Sequence, residues 1–245
     1  MSRARALALI LVTVLCGAVA LPAASTAKTT KKTAKTTKAK AKAKAKPAKE
    51  RNLDASFETT LSVAPGQIIQ PTKAITMWVP KGVRSAGEKM PSCDPARLAA
   101  EGAGACPPKS LVGEGQGTGL IITGGKPTGN ETLTVTLFNG PGNSLLGLTI
   151  GTAPIPINAV VTTTVSKASG GTYGYGQMMR FAFPETLIHP QPDVTASMVS
   201  LSAHLNGKAG WLRSKSCPRK GWSLGALLTS VDGGETAIMA DLACV

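Results

Sequence analysis

Leu133-Thr134-Val135-Thr136-Leu137-Phe138-Asn139-Gly140-Pro141-Gly142 decides the fold class. Leu133, Val135 and Leu137 alternate with threonines. Successive strand side chains point to opposite faces, so this period of two predicts a half-buried β-strand. Asn139-Gly140-Pro141-Gly142 stops it, because proline has no N–H for a ladder and glycine turns at little cost. The same pattern recurs outward from this stretch. Phe57, Leu61 and Val63 alternate with Glu58, Thr60 and Ser62. Ile75, Met77 and Val79 form another strand, stopped by Pro80 and the Lys81-Gly82 turn. Segments 145–150 and 155–165 follow, the second rich in β-branched residues.

Nearer the C-terminus, Val194, Ala196 and Met198 share one parity, and Val199, Leu201, Ala203 and Leu205 share the other. A phase slip inside one strand predicts a bulge between Met198 and Val199. Segments 222–231 and 236–244 flank Asp232-Gly233-Gly234, a hairpin turn. One short helix is expected inside 94–101: Asp94 caps it, Pro95 suits its first turn, and Gly102 ends it. About nine or ten short strands predict an all-β domain, an antiparallel β-sandwich or jelly roll with one short helix.

The 245 residues carry a net charge of +14. Arg3 and Arg5 supply two of these charges. Segment 28–51 holds eleven basic residues against Glu50, and residues 52–245 keep only two. The basicity therefore belongs to the N-terminal region. Residues 1–27 read as a signal peptide: Arg3 and Arg5 precede the apolar run 6–20, and small residues suit cleavage after Ala20, Ser25 or Ala27. A retained signal anchor is the alternative, since 6–24 is just long enough to span a bilayer. Leu15 before Cys16 argues against a lipoprotein. Exported chains favour disulfides, and Cys93, Cys106, Cys217 and Cys244 form an even set. Three connectivities exist; Cys93 with Cys106 and Cys217 with Cys244 each close a local loop. Zinc is the rival reading, but the gaps of 12 and 26 residues lack close-set ligand pairs.

Segment 28–51 is lysine, threonine and alanine, with Lys38, Lys40, Lys42, Lys44 and Lys46 alternating with alanine. Without large apolar residues it cannot offset the entropy of ordering, so it is expected to be a disordered tail. Each lysine is worth about 1 kcal/mol near an anionic membrane, and wall polyphosphate or nucleic acid would attract the tail by counterion release. The bland reading is a spacer. The second candidate is the basic loop 208–222, with Trp211, Arg213, Lys215, Arg219 and Lys220, a further lysine at Lys208 and a second indole at Trp222. Cations beside indoles suit an acidic glycan or phosphate. Against this stands a solvated loop whose tryptophans belong to the core.

Catalytic and cofactor patterns fail on inspection. His204 lies on the polar parity of its strand, and His189 sits in a proline-rich loop without identifiable partners. The loop around Ser144 is one residue too long for a nucleophile elbow. Gly113, Gly115, Gly117 and Gly119 alternate strictly, which fits a strand packed closely on another element rather than a dinucleotide turn. No cofactor is expected.

Several short motifs line up along the body. They are Pro80-Lys81-Gly82, Cys93 before a helical turn, Ala105-Cys106-Pro107 with Ser110, Gly113 and Gly115, Phe138-Asn139-Gly140, and Cys217-Pro218 through Trp222, Asp232-Gly233 and Cys244. Together they resemble a group of uncharacterised secreted proteins from high-GC soil bacteria. The resemblance implies an all-β secreted domain and no activity. The expectation is a non-catalytic secreted or envelope-associated domain tethered electrostatically to an anionic polymer or membrane surface. A binding module for an acidic glycan through 208–222 is the alternative, and a secreted hydrolase the third.

Overall fold

The computed structural model describes residues 50–168, 175–215 and 222–242. Strands β1 (Arg51–Asn52), β2 (Ala55–Thr60), β3 (Thr72–Pro80) and β4 (Val83–Ser85) precede helix α1 (Pro95–Glu101). An antiparallel meander follows: β5 (Leu111–Thr123), β6 (Lys126–Asn139), β7 (Leu145–Gly151), β8 (Ile157–Lys167) and β9 (Tyr175–Ala182). After the single turn α2 (Glu185–Ile188) come β10 (Val194–Leu205), β11 (Leu212–Ser214), β12 (Trp222–Ser230) and β13 (Glu235–Leu242).

Ten strands form one antiparallel sheet in the order β13-β12-β3-β9-β8-β7-β6-β5-β10-β2, and three form a small sheet, β1-β11-β4. The large sheet curls over itself. Its outermost strands, β13 and β2, approach one another without pairing. Inward side chains from β2, β3, β6 to β10 and β12 face a common apolar interior. The result is the all-β, sandwich-like domain expected from the alternation.

Two local devices permit the curl. The register of β10 against β5 shifts between Met198 and Ser200, so the predicted bulge is present and sharpens the local twist. On β5, a Cβ at Gly113 or Gly115 would land on the carbonyl oxygens of His204 or Ser202. Only glycine allows the two backbones that approach.

Helix α1 forms as its sequence predicts. The Asp94 carboxylate accepts the Arg97 N–H at 2.9 Å, Pro95 occupies the first turn, and Gly102 ends the helix with φ 78°. Leu98 is fully buried with Cys93, Cys106, Phe138, Leu146 and Leu148. This explains β7, where Leu145, Gly147 and Thr149 point inward while Leu146 and Leu148 lie under α1. A strand covered on both faces reads as an apolar run rather than an alternation. The Cys93–Cys106 disulfide, as expected, closes the segment that carries α1.

The small sheet packs on the same core. Leu53, Val83, Trp211 and Leu212 cluster with Val112, Leu137 and Leu145. Inside the curled sheet remains an apolar cavity of about 120 Å³. At about 24 cal/mol per Å³, leaving such a space unfilled forgoes roughly 3 kcal/mol of packing.

Candidate anion-binding surface

The small sheet is built from two matching triplets, Val83-Arg84-Ser85 on β4 and Leu212-Arg213-Ser214 on β11. In both, the outer residues are buried and the arginine is only half-buried. The strands pair antiparallel, which sets Arg84 directly opposite Arg213. On the other side of β11, Arg51 pairs with Ser214 and Asn52 with Arg213. Like charges directly across a ladder repel, so this pairing does not serve stability by itself.

Glu50 relieves part of the repulsion. Its two oxygens accept a forked pair of hydrogen bonds from Arg84, from Nε at 3.0 Å and from Nη2 at 2.8 Å. Glu88 lies 3.6 Å from the same guanidinium. The Glu50 carboxyl is held below its ordinary range. The Arg84 hydrogen bond is the main cause, opposed by desolvation and reinforced by the charges of Arg84, Lys215 and Arg213. Arg213 donates to the Gly210 carbonyl at 3.1 Å, and Lys215 is exposed. Among the described residues neither forms an ion pair. Glu50 and Arg51 read as the end of the tail, but in the structure they are part of the folded domain. Glu50, the first described residue, therefore sits beside Arg84, Arg213 and Lys215.

The basic loop 208–222 divides in the structure. Residues Leu212–Ser214 form β11, and Lys208 is exposed on a short turn. Trp211 is not part of a binding surface but belongs to the core, as the alternative of a solvated loop with core tryptophans has it. It is 1% exposed, and its Nε1–H donates to Asn139 Oδ1 at 3.0 Å, so neither indole face is free for a cation or sugar. Trp222 is half-buried against the same core. Arg219, Lys220, Cys217 and Cys244 lie outside the described residues, as do residues 1–27 with Cys16, and Lys38, Lys40, Lys42, Lys44 and Lys46.

Other chemistry-bearing groups are more scattered. His204 is exposed on the polar parity, as expected, and its Nδ1 lies 3.0 Å from the hydroxyl of Ser56, its cross-strand neighbour. Asp54 Oδ1 is 3.9 Å from His204 Nε2, too far for a hydrogen bond, and that oxygen already accepts the Gly207 N–H. Ser56, His204 and Asp54 thus form a cross-strand cluster on the surface. His189 stands 3.4 Å from the Thr195 hydroxyl on an exposed turn. Ser144 follows the turn Pro141–Asn143. Among the described residues, no group of three His, Cys, Asp or Glu side chains is placed to hold a metal ion.

Sequence reading missed Arg84 as a member of the basic surface. The signal was present in the repeated apolar-arginine-serine triplet, but nothing in the sequence pairs segments 83–85 and 212–214. Buried Asn139, Glu131 and Ser197 were missed as well, since composition alone does not show which polar residue turns inward. Comparison of the chain with protein families, curated proteins and solved structures finds no match to any of them.

Proposed function

We propose that the protein is a non-catalytic, exported envelope domain held on an anionic membrane or polymer by its lysine-rich N-terminal segment. Arg84, Arg213 and Lys215 extend that basic surface onto the folded domain. One observation carries the reading: ten of the fourteen net charges lie in segment 28–51, and Glu50 near its end is held beside Arg84, Arg213 and Lys215. An anion bridging Arg84 and Arg213 would turn their cross-strand repulsion into paired charge-assisted hydrogen bonds. Co-sedimentation with vesicles rich in phosphatidylglycerol tests it. The full chain should sediment with anionic vesicles and not with phosphatidylcholine, and deletion of residues 28–49 should reduce the bound fraction at least tenfold. Equal binding to neutral vesicles would refute the reading.

A second reading has its own observation. Arg84 and Arg213 stand opposite one another on adjacent strands, and a carboxylate or phosphate that displaced Glu50 from the Arg84 fork would meet two guanidinium groups. In that case the folded domain binds an acidic glycan itself. Deletion of 28–49 should then leave the affinity for a carboxylated polysaccharide unchanged, while Arg213→Gln abolishes it.

A further inference from the structure

We propose that the interior of the curled sheet is a binding site for a small apolar molecule carrying a single hydroxyl or carbonyl oxygen. The cavity of about 120 Å³ has walls that are almost wholly apolar. Such a space stays dry, and one of about this size in another protein admits a benzene-sized molecule. The opening is not forced by crowded backbone. A Cβ added at Gly147 would meet Leu137, Val135 and Val161 only at ordinary distances of 3.6, 3.7 and 3.9 Å. Small residues at Gly147 and Ala203 keep open a space that larger residues would close.

A second observation points to the polar end of the ligand. A smaller space of about 60 Å³ lies alongside and shares Val135, Thr149 and Leu201 with the first. Ser197 lines this second space, is fully buried, and its hydroxyl has no hydrogen-bond partner among the described residues. A buried hydroxyl without a partner is costly, and a ligand oxygen would satisfy it. The pair of spaces therefore suits an apolar body of about six to eight non-hydrogen atoms with one oxygen function. The unpaired seam between β2 and β13 offers a way in that breaks no ladder hydrogen bond.

Met77 and Met179, directly opposite on β3 and β9, both face the cavity and supply reporter methyls. The test follows their NMR resonances in the full chain during titration with xenon, an oxygen-free probe, and with 1-hexanol. Both probes should shift the two methyls saturably. Ala203→Leu should abolish both responses, and Ser197→Ala should weaken 1-hexanol roughly 2- to 10-fold while leaving xenon unchanged, as loss of one hydrogen bond predicts. Should Ala203→Leu not fold, the titrations of the unmodified chain and of Ser197→Ala still decide the matter. Absence of saturable shifts at Met77 and Met179, or equal 1-hexanol affinity in the Ser197→Ala protein, would overturn the proposal.

Discussion

Asn139 shows how much of this fold hangs on single polar side chains. It is fully buried, accepts from the Trp211 indole, and donates to the Gly87 and Pro91 carbonyls at 3.0 Å each. The end of β6 is thereby tied to the loop before α1 and to the small sheet. Asn139→Ala would remove the partner of the indole N–H and the bond to the Pro91 carbonyl, and leave the Gly87 carbonyl only its bond from the Met90 N–H, so urea denaturation should show a loss of about 2–4 kcal/mol. Glu50 gives a residue-scale test by pH. Its folded pKa lies below its ordinary value, so its contribution is present above the ordinary carboxylate range and is lost as pH falls through the depressed folded value. An NMR titration should find Glu50 ionising below the ordinary range, and Arg84→Gln should raise its midpoint. An unmoved midpoint would mean that the forked pair does not form in solution. Of these residues, the sequence marked Asn139 only as part of a turn. A side chain's inward direction depends on what the chain brings over it, which no local pattern encodes.

At the scale of elements, legibility followed the number of faces that meet water. Strand β6 announced itself because one face is polar, and α1 because its cap, first-turn proline and terminal glycine are local signals. The bulge in β10 was readable as a parity slip, since one inserted residue reverses every later side chain. Strands β1, β4 and β11 were not readable, because two or three residues carry no period. Their pairing comes from tertiary packing of Leu53, Val83 and Leu212. The Cys93–Cys106 bridge holds α1 over Leu146 and Leu148. Replacing both cysteines with alanine should lower stability by about 2–3 kcal/mol, chiefly through the freer unfolded chain. The far-ultraviolet β signature should persist, because the large sheet is hydrogen-bonded independently of that bridge. Loss of the β signature on replacement would make the α1 cover a condition of folding.

For the whole molecule, the sequence revealed an asymmetry of charge but not where the basic segment meets the domain. A nearly neutral body and a strongly basic leader are visible by counting. That Glu50 lies beside Arg84, Arg213 and Lys215 depends on pairing between segments more than 100 residues apart in sequence. If the lysines act as a diffuse tether, charge matters and side-chain shape does not. Arginine at positions 38, 40, 42, 44 and 46 should preserve binding to anionic vesicles. Glutamine at all five should weaken it by between three and four orders of magnitude, taking about 1 kcal/mol per lysine. Raising salt should weaken the unmodified chain steeply, because the Debye length shrinks from about 10 Å at 0.1 M to about 3 Å at 1 M. The melting temperature should stay unchanged in both sets of variants, since the attraction of a diffuse tether depends on charge rather than on packing in the domain. Binding that survives five glutamines and high salt would refute the tether. The contact would then lie on the Arg84–Arg213 surface, where the fixed geometry of two opposed guanidinium groups could select one anion over another.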